Sequence, residues 1–323
     1  MKALVLIGGL GTRLRPITHE LPKQLIPLAG KPMLYHVLDL LPPDVEEVVL
    51  ATGYLSAKVE EYVRSDPPGR PVRTVSESEP LGTGGGMRNA GSSMSDPFFL
   101  LNSDVIAAVD LVALARLQER RGGIGTMALA EVADPRPYGV AALGPNDQIL
   151  RFVEKPELAD APSRWINAGI AIWRRSVLDR IPPGRPVSFE REIVPGLLGE
   201  RAYGFRLDRY WEDAGTPERL LHAQRLLFDD HRGGAGTLPA GSTGRGPVAL
   251  MESAEVRGAT FGPYVTLGRS ARVEAGAHVE NSVVMDGAVI ERGARVVGSL
   301  VGPGVRVPAG QVLQGEVRGR ETA

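Results

Sequence analysis

The sequence contains no cysteine, which excludes disulfides, thiolate metal sites and a cysteine nucleophile together and suits a reducing compartment. It also carries almost no net charge. Lys and Arg number 37 against 38 for Asp and Glu, a formal balance of −1, so no global field draws the chain to nucleic acid or to an anionic membrane. Any phosphate must be met by local groups, and a small ligand is expected. No apolar run approaches the roughly 20 residues needed to cross a bilayer. Met1-Lys2-Ala3-Leu4-Val5-Leu6-Ile7 is followed at once by Gly8, Gly9 and Arg13, with no small-residue cleavage pattern, and reads as a buried strand rather than a secretion signal. A soluble, cytoplasmic protein is expected. The five histidines (His19, His36, His222, His231, His278) form no spaced cluster, and no Ser/His/Asp order stands out. Each histidine reads as a surface or packing residue.

With 323 residues the chain has length for two domains. Over residues 1–228 short apolar runs alternate with stretches of helical period, the pattern of a mostly parallel α/β sheet covered by helices. Strands are expected at 3–7, 47–51, 98–101, 126–130 and 168–173. A helix is expected from Pro32, with Met33, Leu34, Val37, Leu38 and Leu41 as its apolar stripe. Another follows Asp110 as N-cap and ends at Gly122, and a third starts at Thr216-Pro217. Residues 229–247 turn to Gly, Ser, Thr and Pro without period and read as a linker. In 248–323 Phe261, Leu267, Val273, Val279 and Met285 recur every six residues, and after a one-residue slip Ile290 and Val296 continue the series. Hexapeptide periodicity predicts a β-helix. Fewer than three full coils are apparent, so this domain is expected to lean on the first domain or on another subunit.

The densest signal is Gly8-Gly9-Leu10-Gly11-Thr12-Arg13-Leu14-Arg15-Pro16, directly after the first strand. Glycines there let backbone N–H groups approach phosphate oxygens at the crevice where open α/β sheets bind ligands. A dinucleotide loop would need Gly or Ala where Leu14 stands, and no Gly-Lys-Ser/Thr closes the run as a P-loop requires. Arg13 and Arg15 supply planar, fixed charge for a triphosphate, or are merely solvated loop arginines.

Joined to Pro22-Lys23-Gln24-Leu25 and Gly30-Lys31-Pro32, this loop resembles the signature of the nucleoside-diphosphate-sugar pyrophosphorylases, the sugar nucleotidyltransferases. The resemblance implies a Rossmann-like nucleotidyltransferase domain followed by a left-handed β-helix. It also implies transfer of a nucleotidyl group from an NTP to a sugar 1-phosphate with release of pyrophosphate. By the same resemblance Gly8, Gly9, Gly11 and Thr12 cradle the nucleotide, while Arg13 and Lys23 grip the triphosphate and act in catalysis. Pro80-Leu81-Gly82-Thr83-Gly84-Gly85-Gly86 resembles the loop holding base and ribose, here through Leu81, Gly82 and Thr83. Asp104, after Leu101-Asn102-Ser103, and Asp213, in Trp211-Glu212-Asp213, look like the Mg²⁺ ligands. Ser103 stands where the family usually has Gly, and Asp213 reads alternatively as a helix-capping residue. Gly139, Glu154, Lys155 and Asn167 look like the sugar-phosphate side.

Within the family, the Pro80 segment and Val187-Ser188-Phe189-Glu190 are most similar to mannose-1-phosphate guanylyltransferases, implying GTP and mannose 1-phosphate. Pro22-Lys23-Gln24-Leu25 is closer to glucose-1-phosphate thymidylyltransferases, which leaves a thymidylyl- or uridylyltransferase open. A non-catalytic regulatory subunit that binds sugar nucleotides is the reading of another class. The hexapeptide domain implies a homo-oligomer.

Overall fold

The computed structural model describes residues 1–232 and 238–320. Its contacts divide into two compact units, Met1–Gly9 with Val37–Trp211, and Leu10–His36 with Glu212–Ala323. The segment carrying Arg13 and Lys23 therefore clusters with the C-terminal part of the chain, although it emerges directly from the first strand. Residues 233–237 of the expected linker, and 321–323 of the expected β-helix, lie outside the described residues.

The first unit is built on a nine-stranded sheet. Its strands in chain order are β1 (Lys2–Ile7), β2 (Val48–Thr52), β3 (Val72–Ser76), β4 (Phe98–Asn102), β5 (Gly125–Glu131), β6 (Gly139–Leu143), β7 (Ile149–Glu154), β8 (Trp165–Trp173) and β9 (Ala202–Arg206). The spatial order is β7-β6-β8-β4-β1-β2-β3, with β5 on β8 and β9 on β5. The run β3-β2-β1-β4 is parallel and β8 enters antiparallel to β4. Leu4 and Phe98 are fully buried, as unbroken apolar runs predict for central strands covered on both faces. The longer helices are α1 (Met33–Leu38, of which residues 33–36 are assigned to the second unit and 37–38 to the first), α2 (Ser56–Ser65), α3 (Gly82–Ala90), α4 (Leu111–Arg121) and α5 (Pro217–Asp229, in the second unit).

Capping signals in the sequence hold in the structure. Asp110 accepts from the Ala113 N–H at the start of α4, and Thr216 accepts from the Arg219 N–H at the start of α5. The cap of α5 is thus Thr216 and not Asp213. Two expectations fail. The helix expected from Pro32 through Leu41 is only six residues long: Lys31–Pro32 pair as a short strand with Pro27–Leu28 at its start, and i→i+3 bonds from the Leu40 N–H to Val37 and the Leu41 N–H to Leu38 close it ahead of Pro42-Pro43. The Pro80–Gly86 loop is helical from Gly82 onward. Its glycines serve close packing, since a Cβ on Gly84 would stand 3.0 Å from Val187 Cγ1 and 3.2 Å from the Val187 carbonyl oxygen.

In the second unit three parallel sheets of five, five and four strands wind as a left-handed β-helix. This corrects the expectation of fewer than three coils. Val279, Val296 and Leu313 stack one above the next, as do Leu267, Val284 and Val301, at 17-residue spacing, whereas Phe261 stacks on Val279 at 18. A 17-residue coil contains two six-residue steps and one of five. After the 18-residue coil from Phe261 to Val279, a five-residue step falls between Val279 and Val284, ahead of Met285, and again between Val296 and Val301. These stacked side chains are at most 1 % exposed, each contributing about 1.5–3 kcal/mol by burial.

Candidate active site

Two cavities open at the C-terminal ends of the parallel strands of the first unit, where such sheets bind ligands. One, about 290 Å³, is lined by Gly8, Gly9, Glu77, Gly82, Thr83, Asn102 and Asp104 among others. The other, about 480 Å³, shares Gly82, Thr83 and Asn102 and adds Tyr138, Gly139, Glu154, Lys155, Asn167 and Glu190. Shared lining makes them neighbouring compartments.

In the first cavity β1 ends at Ile7 and the chain turns through Gly9 at φ 87°. A Cβ on Gly8 would meet nothing within 4 Å, so the side of the chain where a side chain would stand is open. Ser103, in place of the family glycine, is 1 % exposed and donates both its hydroxyl (2.7 Å) and its N–H (3.2 Å) to the Leu6 carbonyl. That added hydroxyl is satisfied within the sheet and ties the tip of β4, next to Asp104, to β1. Glu77 lies one residue beyond β3 and accepts the Leu81 N–H at 3.1 Å. Burial holds its carboxyl above the usual glutamate range.

The second cavity has its own charged floor. A Cβ on Gly139 would sit 2.3 Å from Phe152 Cζ and 2.7 Å from Glu154 Oε2, so glycine is what lets Glu154 lie there. Burial first, then the neighbouring Glu190 carboxylate, raises the Glu154 pKa. Lys155 Nζ is 3.7 Å from Glu154 Oε1. The Lys155 backbone is left-handed, at φ 51°, with its N–H bonded to the Tyr138 carbonyl. Such conformations cost roughly 1–3 kcal/mol and cluster at functional sites. Asn167 accepts the Gly169 N–H at 3.0 Å where β8 shifts register against β5, an irregularity that re-aims side chains locally. Thr83 donates to Glu190 at 2.6 Å while accepting the Phe189 N–H. Phe189–Ile193 is a π-turn, another feature frequent at functional sites.

The remaining charged residues belong to the second unit. Gly11 is left-handed and packs on Thr18, whose hydroxyl donates to the Gly11 carbonyl. Thr12–Leu14 and Lys23–Leu25 are single 3₁₀ turns anchored by buried Leu14 and Leu25, which leaves Thr12 and Arg13 exposed and Lys23 partly so. A methyl group on Gly215 would stand 2.5 Å from Arg13 Nη2 and 2.9 Å from Asp213 Oδ1. Arg13 and Asp213 thus flank the same glycine. Asp213 also lies 3.5 Å from Arg219, and Glu212 bonds His222 at 2.5 Å.

The structure therefore gathers Gly8, Gly9, Gly82, Thr83 and Asp104 round one cavity and Gly139, Glu154, Lys155 and Asn167 round the next, with Leu81 held by Glu77. Gly11, Thr12, Arg13, Lys23 and Asp213 fall in the second unit, so the two expected metal ligands lie in different units. Sequence reasoning passed over Glu77, Asn102 and, as a site residue, Glu190. A polar residue at or just past the C-terminal end of a parallel strand was the available signal for the first two.

Residues 2–229 match the nucleotidyl transferase family and residues 245–321 match the GMPPB C-terminal domain. The chain belongs to the nucleotidyl transferase family. It is an enzyme of nucleotidyl transfer, and this family generally uses a divalent metal. The chain is 37 % identical over 292 residues to a mannose-1-phosphate guanylyltransferase of Mycobacterium tuberculosis, covering 88 % of this chain and 80 % of that one. It is 35 % identical over 298 residues to mannose-1-phosphate guanylyltransferase 1 of Arabidopsis thaliana, covering 89 % and 82 %. Among solved structures, HddC from Yersinia pseudotuberculosis is similar with a TM-score of 0.59 and 26 % identity, covering 69 % of this chain and 98 % of that one. No helix among the described residues is long and apolar enough to cross a membrane.

Proposed function

We propose that the chain makes GDP-mannose from GTP and mannose 1-phosphate, with Mg²⁺ as the metal and cytoplasmic working conditions. The single observation that carries the choice of base is Glu77. Guanine offers two adjacent donors, N1–H and the N2 amino group, to a carboxylate acceptor. Uracil and thymine offer one N–H between two carbonyl oxygens, which a carboxylate repels. A half-buried carboxylate lining the Gly8–Gly9 cavity therefore favours GTP over dTTP or UTP, against the thymidylyltransferase-like Pro22-Lys23-Gln24-Leu25. The similar guanylyltransferases of known name support the same choice.

The reaction is one displacement. A phosphate oxygen of mannose 1-phosphate bonds to the α-phosphorus of GTP, the bond from that phosphorus to the β-bridging oxygen breaks, and pyrophosphate leaves. The nucleophile is already anionic, so no general base is required, and catalysis rests on positioning and charge stabilisation. Arg13 and Lys23 are assigned to the triphosphate, and Gly8, Gly9, Gly11, Thr12, Leu81, Gly82 and Thr83 to the nucleotide. Glu154 and Asn167 bond the sugar hydroxyls, and Lys155 and Gly139 border the sugar phosphate. Asp104 and Asp213 are assigned to Mg²⁺. Among the described residues no group of three or more His, Cys, Asp or Glu could hold a metal, and Mg²⁺ usually takes only one or two carboxylates plus substrate phosphates and water. When bound, it neutralises phosphate charge.

Glu77→Gln tests the base assignment. The ratio of kcat/KM for GTP over dTTP should fall by about 100-fold, because sites built on hydrogen bonds discriminate by at least that much. An unchanged ratio would remove Glu77 from base selection.

A further inference from the structure

We propose that the last coil of the β-helix is the seat of the Arg13 turn, with Gly319 and Gly302 as positioning residues for catalysis. This rests on the role given to Arg13 above. Gly302 and Gly319 follow the last two strands of one β-helix sheet, Leu300–Val301 and Val317–Arg318, and are hydrogen-bonded neighbours through the Gly302 N–H and the Arg318 carbonyl at 2.7 Å. Both lack room for a methyl group. A Cβ on Gly319 would stand 2.6 Å from Pro16 Cγ and 3.2 Å from the Pro16 carbonyl carbon, and one on Gly302 would stand 3.1 Å from Ile17 Cγ1. Ile17 is 2 % exposed, so it cannot swing away. Pro16, through its ring and carbonyl carbon, and the Ile17 side chain are thus laid directly on the coil, three and four residues downstream of Arg13.

The same body holds the other side of Arg13. Gly215, against which the guanidinium lies, opens into α5 one residue before its Thr216 cap. Gln224 of that helix is fully buried, donates to the Tyr264 carbonyl at 2.8 Å and accepts from the Thr266 hydroxyl at 2.6 Å. Tyr264 and Thr266 are β-helix residues. Arg13 is therefore gripped between two pieces of chain that are each fixed to the β-helix, one by close glycine contacts and one by a buried amide. The β-helix sets the aim of a charge on which the transition state depends, and misplacement by about 1 Å costs on the order of 100-fold in rate.

Gly319→Ala tests this against a matched control. Gly262→Ala also overpacks the β-helix, with its Cβ 2.3 Å from Glu280 Cγ, but its three nearest neighbours are all atoms of the Glu280 side chain rather than of the Arg13 segment. Gly319→Ala should lower kcat 10- to 100-fold with the KM for mannose 1-phosphate within twofold, whereas Gly262→Ala should keep kcat within twofold. In an Arg13→Ala background, Gly319→Ala should cause no further loss. Melting temperatures of all variants give the stability comparison. Equal kcat losses in Gly319→Ala and Gly262→Ala would overturn the proposal, as would normal kcat in Gly319→Ala or a full additional loss in the Arg13→Ala background. If Arg13→Ala itself keeps normal activity, the role of Arg13 falls, which is a separate result.

Discussion

Glu154 carries an elevated pKa because burial and the Glu190 carboxylate both oppose its charge, yet the assigned task is to accept hydrogen bonds from sugar hydroxyls, for which the ionised form is better. As pH falls through a window above the ordinary glutamate value of 4.5, this group protonates. The KM for mannose 1-phosphate should rise over that window, and Glu154→Gln should show a higher KM with the rise largely removed. Comparing the two profiles cancels the titration of the substrate phosphate. His36 is a buried histidine of opposite sign. Its Nε2–H donates to the Leu28 carbonyl at 2.7 Å, Nδ1 has no partner, and burial lowers its pKa to about 3. A depressed base stabilises the fold fully above its unfolded pKa of 6.5 and loses that contribution as pH falls towards 3. The full loss is roughly 5 kcal/mol at about 1.4 kcal/mol per pH unit. His36→Leu should flatten the dependence of unfolding free energy on pH over that range in urea titrations; an unchanged slope would contradict the account. The sequence read every histidine as a surface or packing residue, and buried His36 is of the second kind.

At the scale of elements, local rules read well where one force dominates and badly where two compete. Strands β1 and β4 were legible because unbroken apolar runs leave few alternatives. Helix α3 was not, because glycine propensity opposes helix by about 1 kcal/mol per residue, while the contact with Val187 that demands those glycines is about 100 residues away. Gly84→Ala brings both effects into one measurement. Better propensity stabilises by about 1 kcal/mol, but the new methyl meets the Val187 carbonyl at 3.2 Å, and overpacking costs about 1–3 kcal/mol. A net loss of stability is expected in urea denaturation. The hexapeptide period showed the β-helix, yet the repeating five-residue step was hidden because Met285, next to the true stacking residue Val284, is itself 1 % exposed. Gln224 was invisible for the same reason: a glutamine on an amphipathic helix reads as surface until its partners Tyr264 and Thr266 are known. Gln224→Leu strands both partners and should cost about 1–3 kcal/mol, read as a lower melting temperature.

For the molecule as a whole, the signature motifs gave chemistry more readily than geometry. Gly8, Asp104, Glu154 and Asn167 were legible from their order along the chain, and two adjoining cavities gather them. That Arg13, Lys23 and Asp213 belong to the unit built on the β-helix was not legible, because it depends on Pro16 and Ile17 meeting glycines some 285–300 residues later. Glu77 had no motif to announce it. The central claim is guanylyl transfer to mannose 1-phosphate, and pyrophosphate release measures it most directly. With Mg²⁺ present, GTP, dTTP, UTP and ATP are each paired with the 1-phosphates of mannose, glucose, galactose and N-acetylglucosamine. The highest kcat/KM is predicted for GTP with mannose 1-phosphate, with loss of turnover in both Asp104→Asn and Asp213→Asn. Pyrophosphate release that prefers dTTP and glucose 1-phosphate, or none with any pair, would contradict it.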